Sequence, residues 1–299
     1  MTDTQDSPAV TDEAAAETVP QPKREGRAVT VVLGIGALAA LVGVLVSLYA
    51  LTGMADGLDE TGVMTLALSL FSPIIIAIFA GAVGGVVASR VKGPRRALAA
   101  AGFAVVGLAT AGAAYALFSV DAAIALALGL VLLGSAVVGG LFSLPRHRLP
   151  VVAGLIGTLL LLALMFLRGV LETSQQSLFS DPLDEYGALG TIAPFAAGLA
   201  CGFAAFLYLR SAKAGTRLYG FLFAGAIPGA IWLVSTIIAQ VGVETVLAIG
   251  VDEVAVLDEA YLTLTFQWQY NGAMTVLFAG ALCSVLAYGM LLPRPAKTA

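Results

Sequence analysis

Eight apolar runs, each long enough to cross a lipid bilayer, recur along this chain: 28–52, 63–89, 97–118, 122–144, 149–171, 188–210, 218–242 and about 266–292. A helix rises about 1.5 Å per residue, so roughly 20 apolar residues cover the ~30 Å of a hydrocarbon core. Water cannot satisfy the backbone inside that layer. Only a helix pairs its own N–H and C=O groups within one segment, so the recurrence predicts an all-α polytopic integral membrane protein. Composition points the same way. Hydrophobic residues make up 59% of the 299 and charged residues 11%, whereas a soluble domain carries about a quarter charged. Charge this sparse cannot cover a water-soluble globule, but lipid tails accept an apolar exterior.

The charges alternate between loops. Lys23, Arg24 and Arg27 precede span one; Arg90, Lys92, Arg95 and Arg96 follow span two; Arg146 and Arg148 follow span four. Arg210, Lys213 and Arg217 follow span six, and Arg294 and Lys297 follow span eight. The other loops carry acids: Asp56, Asp59 and Glu60; Asp121; Glu172, Asp181, Asp184 and Glu185; Glu244, Asp252, Glu253, Asp258 and Glu259. Every basic residue except Arg168 therefore falls on one side. The positive-inside rule makes that side cytoplasmic, with an even number of spans and both termini inside. The expected location is the cytoplasmic membrane. Residues 1–27, polar and rich in Ala, Glu, Thr and Pro, are expected to form a disordered cytoplasmic tail rather than a cleaved signal peptide.

An internal repeat is expected as well. Arg27 and Arg148, Gly36 and Gly157, Pro73 and Pro194, Gly81 and Gly202, and Arg96 and Arg217 are each 121 positions apart. The halves end alike, Leu144-Pro145-Arg146 against Leu292-Pro293-Arg294, at an offset of 148. These matches predict two parallel four-helix units, 28–148 and 149–299, with about 27 residues gained after span seven. The GxxxG spacings at Gly81, Gly198 and Gly225 favour close helix packing in lipid. Pro73, Pro194 and Pro228 are expected to kink their helices.

The sequence offers little chemistry. No Asp, Glu, Lys or His falls in the middle of a span, and no P-loop is present. Cys201 and Cys283 sit in apolar runs without metal or disulfide spacing. His147 is the only histidine, and the acids lie on the opposite face from it, so no Ser-His-Asp set assembles. No catalytic residue, cofactor or metal ligand is expected. No long basic patch suggests nucleic acid. The partners expected are the bilayer itself and another membrane protein or a second copy.

The polar residues that remain lie near the outer face. Arg168 stands four residues before Glu172, which places both on one helix face. It either snorkels to headgroups while pairing with Glu172, or contacts an anion at the mouth of a cavity. Loop 172–187 reads as a solvated turn about Asp181-Pro182. Segment 243–270 is the most individual. Its first portion carries five acids, too many for a span. In its second, Thr263, Thr265, Gln267, Gln269 and Asn271 alternate with apolar residues. Period two would suit a strand paired outside the membrane, but the reading preferred is a helical span eight beginning near Thr265. Gln267, Gln269 and Asn271 then form either an interfacial cap on the helix or a polar rim for a ligand or partner.

Two functional readings follow. A permease-like carrier of a neutral, apolar or lipid-like solute is suggested by the repeat. A non-catalytic scaffold or accessory subunit of an envelope or transport complex is suggested by the small-residue helix faces and the acidic outer segment. The Ala-, Gly- and Val-rich composition, with Arg exceeding Lys, resembles that of proteins from GC-rich prokaryotic genomes.

Overall fold

The computed structural model describes residues 25–54, 60–117, 121–145, 148–173, 188–212, 217–250 and 256–291. All regular structure among them is helical, and eight segments are long and apolar enough to cross a membrane. In chain order the helices are α1 (Glu25–Met54), α2 (Glu60–Ser69), α3 (Phe71–Ala88), α4 (Arg95–Leu117), α5 (Ala122–Leu141), α6 (Arg148–Thr173), a π-helical turn (Ala188–Ile192), α7 (Ala193–Ser211), α8 (Leu218–Gly250) and α9 (Val256–Leu291). His147, Asp181, Pro182, Asp252, Glu253 and the tail up to residue 24 lie outside the described residues.

Span two is two helices, α2 and α3, separated at Leu70. Pro73 cannot donate to Ser69; the backbone stays right-handed helical at Leu70, whose N–H bonds Ala67 O at 3.2 Å, so the bonding pattern changes there while the span continues. Span six shows a related device. Its π-helical turn ends at Ile192, and Pro194 opens the regular α7 behind it. Pro228, in contrast, lies inside the uninterrupted α8.

Among the described residues, 262–271 is helical, as the preferred reading expects, and the strand alternative is excluded. That stretch belongs to α9, which starts at Val256, nine residues before the expected Thr265. Residues four apart share a face of a strand and also a face of a helix, so alternation alone did not distinguish them. The acid-bearing portion after 242 is also helical, because α8 runs on to Gly250. At 33 and 36 residues, α8 and α9 are about 50 and 54 Å long. They exceed a hydrocarbon core by roughly 20 Å. The hairpin of α4 and α5 is shorter, at 23 and 20 residues.

Both halves show the same neighbour pattern. In the first, α3 packs on α1, α4 and α5, while α4 also touches α1 and α5. In the second, α7 packs on α6, α8 and α9, while α8 also touches α6 and α9. Between the halves α8 does most of the joining, reaching α2, α3 and α5. One apolar core runs through this junction and buries Leu70, Ile74, Ile78, Phe79, Leu128, Leu132, Leu155 and Ile231. Glycines bring backbones together: Gly81 faces the Ala136 carbonyl, Gly139 that of Ile78, and Gly202 that of Gly280. Several buried hydroxyls are satisfied locally, while Ser284 of α9 donates across to Phe221 O of α8 at 2.9 Å. Thr110, Ser135, Thr158, Ser235 and Thr236 donate to carbonyls one turn back, at 2.7–3.1 Å. Along these contacts the helices are close-packed and their hydroxyls are internally bonded.

Candidate functional site

Between α8 and α9, toward the acidic end of both helices, lies a cleft of about 870 Å³. On α8 it is lined by Gln240, Glu244 and, between them, Val243, with Leu247 and Ala248 further on. Helical spacing generates this face, because positions three and four apart point the same way. The α9 wall obeys the same rule. Glu259, Thr263, Gln267 and Asn271 are successive i, i+4 neighbours, and Leu262, Phe266 and Tyr270 run beside them. The result is an apolar floor between two polar walls.

Hydrogen bonds order the lower end. Tyr270 Oη donates to Gln240 Oε1 at 3.2 Å, and Gln240 Nε2 donates to Glu244 Oε1 at 3.4 Å. Below them the Trp232 indole Nε1 donates to Gln269 Oε1 at 2.7 Å. Trp232 also meets the Phe71 ring, with centroids 6.4 Å apart. Gly272 gives it room, since a Cβ there would sit 3.0 Å from the indole and 3.8 Å from Pro194. Trp232 thus links Phe71, at the start of α3, with Gln269 and Gly272 of α9.

Of the expected polar rim, Gln267 and Asn271 line the cleft and Gln269 turns to Trp232. Arg168 lies on an exposed stretch of α6 and is not part of the cleft lining. The side chain of Glu172 falls outside the described residues. Sequence reading missed Gln240, Glu244, Glu259 and Tyr270 as site residues. The run of fours from Glu259 to Asn271 was a usable signal, obscured by the coincident alternation. The pairing of Gln240 with Tyr270 had no local signal.

The cleft has carboxylates at Glu244 and Glu259 and no cationic side chain in its lining. It can attract a cation or a basic segment and can hydrogen-bond through Gln267, Asn271 and Thr263. Among the described residues, no group of three or more His, Cys, Asp and Glu gathers to hold a metal. Compared with known families, curated proteins and solved structures, the chain matches none.

Proposed function

We propose that this chain is a non-catalytic accessory or scaffold component of the cytoplasmic membrane that receives a basic, amphipathic segment of an envelope partner in the α8–α9 cleft. In this reading both termini are cytoplasmic and the acidic end of the bundle faces outward, in line with the loop charges. The bundle is a tandem of 28–148 and 149–299, and the shared neighbour pattern of the two halves supports that duplication. The hairpin extension of about 243–270 is then an addition to a simpler second unit.

The observation that carries the proposal is the cleft itself: polar walls, an apolar floor and two carboxylates, built where two helices outrun a membrane. Helix-in-groove recognition needs such a floor for anchor residues and complementary charge at the walls. The full chain in nanodiscs, titrated with amphipathic peptides of equal apolar face but basic, neutral or acidic polar face, tests this. The basic peptide is expected to bind most tightly and to lose affinity in an E244Q/E259Q variant. Equal binding of all three, or no change in the variant, would overturn it.

One observation favours the carrier reading. Spans two and six both depart from regular α-helical bonding just before matched prolines, Pro73 and Pro194, positions at which transporters with paired discontinuous helices open theirs. Such helices normally break near the bilayer midplane. Here 18 residues of α3 and 19 of α7 follow the breaks, putting both about 27–28 Å from the basic end. The interruptions fall near the outer boundary, which is why the scaffold reading ranks first. Solute flux into proteoliposomes, abolished by Pro194→Ala, would reverse that ranking.

A further inference from the structure

At the basic end, the connection between the two halves is fastened by arginines. Arg95, at the start of α4, donates from Nη2 to Pro145 O at 2.7 Å. Arg148, at the start of α6, donates from Nη2 to Ser89 O at 2.7 Å. Ser89 ends α3, so the guanidinium also meets the negative pole of that helix. Arg90 is the next residue along. Arg148 is close enough to repel both Arg90 and Arg95. Burial holds the Arg90 guanidinium below the ordinary arginine value; Tyr208 opposes this and Arg148 adds to it.

Helix geometry therefore holds like charges together against their repulsion. The acids whose side chains are described, Asp121, Glu244, Asp258 and Glu259, all belong to the opposite end of the bundle. Arg148 spends one N–H on Ser89, and a guanidinium has five donors in a planar fork suited to phosphate oxygens. Arg90 and Arg148 are both exposed, one residue or two beyond the apolar helix surface. Val87, Val91 and Leu149 beside them are exposed apolar side chains, 41%, 62% and 39% accessible. Exposed cations beside an exposed apolar helix surface match a molecule with an anionic head and acyl chains.

We propose that Arg90 and Arg148 form a phosphate-binding site at the junction of the two halves, with Arg95 positioning the linker at Pro145. The ligand chemistry is a phosphodiester or phosphate monoanion, supplied by an anionic phospholipid or by phosphate in solution. The site does not depend on the cleft or its partner.

Native mass spectrometry of the full chain, with phosphatidylglycerol or phosphatidylcholine of matched acyl chains, tests the proposal. Phosphatidylglycerol is expected to be retained over phosphatidylcholine, and an R90Q/R148Q variant to bind it about 30-fold more weakly. R210Q/R217Q, which removes the same charge from the same end, is expected to keep binding. Arg90→Gln alone breaks no backbone bond and should lose part of the preference without unfolding. Competition by inorganic phosphate would identify solution phosphate as the source, and its failure to compete would identify the lipid. Equal retention of the two lipids, or equal loss in both double variants, would overturn the site.

Discussion

The Trp232 indole N–H and the Gln269 carboxamide oxygen, 2.7 Å apart, join α8 to α9 at the base of the cleft. Trp232 is only 9% exposed. Its N–H has few alternatives once the partner is removed. Gln269→Leu is expected to cost about 1–3 kcal/mol, the range for a buried donor left unsatisfied. Trp232→Phe in the leucine background should then cost less than in the wild type, with a coupling of about 1 kcal/mol. Equilibrium unfolding of the four proteins in mixed detergent, followed by circular dichroism, measures the cycle.

The backbone contacts at glycine separate two kinds of helical glycine. A Cβ on Gly139 would overlap the Ile78 carbonyl, and one on Gly81 the Ala136 carbonyl. Neither obstacle is a movable side-chain end. Gly139→Ala and Gly81→Ala are each expected to destabilise by about 2–3 kcal/mol through forced helix separation. At Gly112 and Gly134 a Cβ meets nothing within 4 Å, so alanine there should be neutral or stabilising by up to about 1 kcal/mol. Thermal aggregation in detergent would rank the four variants.

Asp121 caps α5. Its Oδ1 accepts from the Ala123 and Ile124 N–H groups at 2.7 and 2.9 Å. Asp121→Ala is expected to cost about 1 kcal/mol, and Asp121→Asn to retain most of the cap. Comparing their unfolding midpoints distinguishes capping from a charge effect, since asparagine keeps the acceptor and loses the charge.

Orientation is open to a direct measurement. In a background with Cys201 and Cys283 replaced by alanine, cysteine at Glu259 should react in intact cells with a membrane-impermeant maleimide. Cysteine at Arg96 should react only after the membrane is permeabilised. The opposite pattern would invert the proposed topology and place the cleft inside the cell.

Much of the bundle was legible before folding. Spans three to six begin and end within a few residues of their helices, because burial in lipid demands unbroken apolar length. The extension of α8 and α9 was not legible as helix. Glu244, Asp258 and Glu259 oppose burial in lipid but not helix formation itself, so the acids marked the end of the apolar span but not the end of the helix. Gln267 and Asn271 were accessible as site residues from their spacing. Gln240 and Tyr270 were not, since 30 residues separate them and their bond exists only because α8 and α9 pack side by side.

The sequence by itself determined that this protein has eight helices of membrane length, with acids and bases divided between alternate loops. Both properties are local: apolar length sets a span, and charge sets which loops differ. The tertiary structure decided which helices touch, how Gln269 turns inward to Trp232 while Gln267 turns outward, and where Arg148 meets Ser89. Those relationships depend on backbones approaching across distant positions, which glycine permits but does not specify.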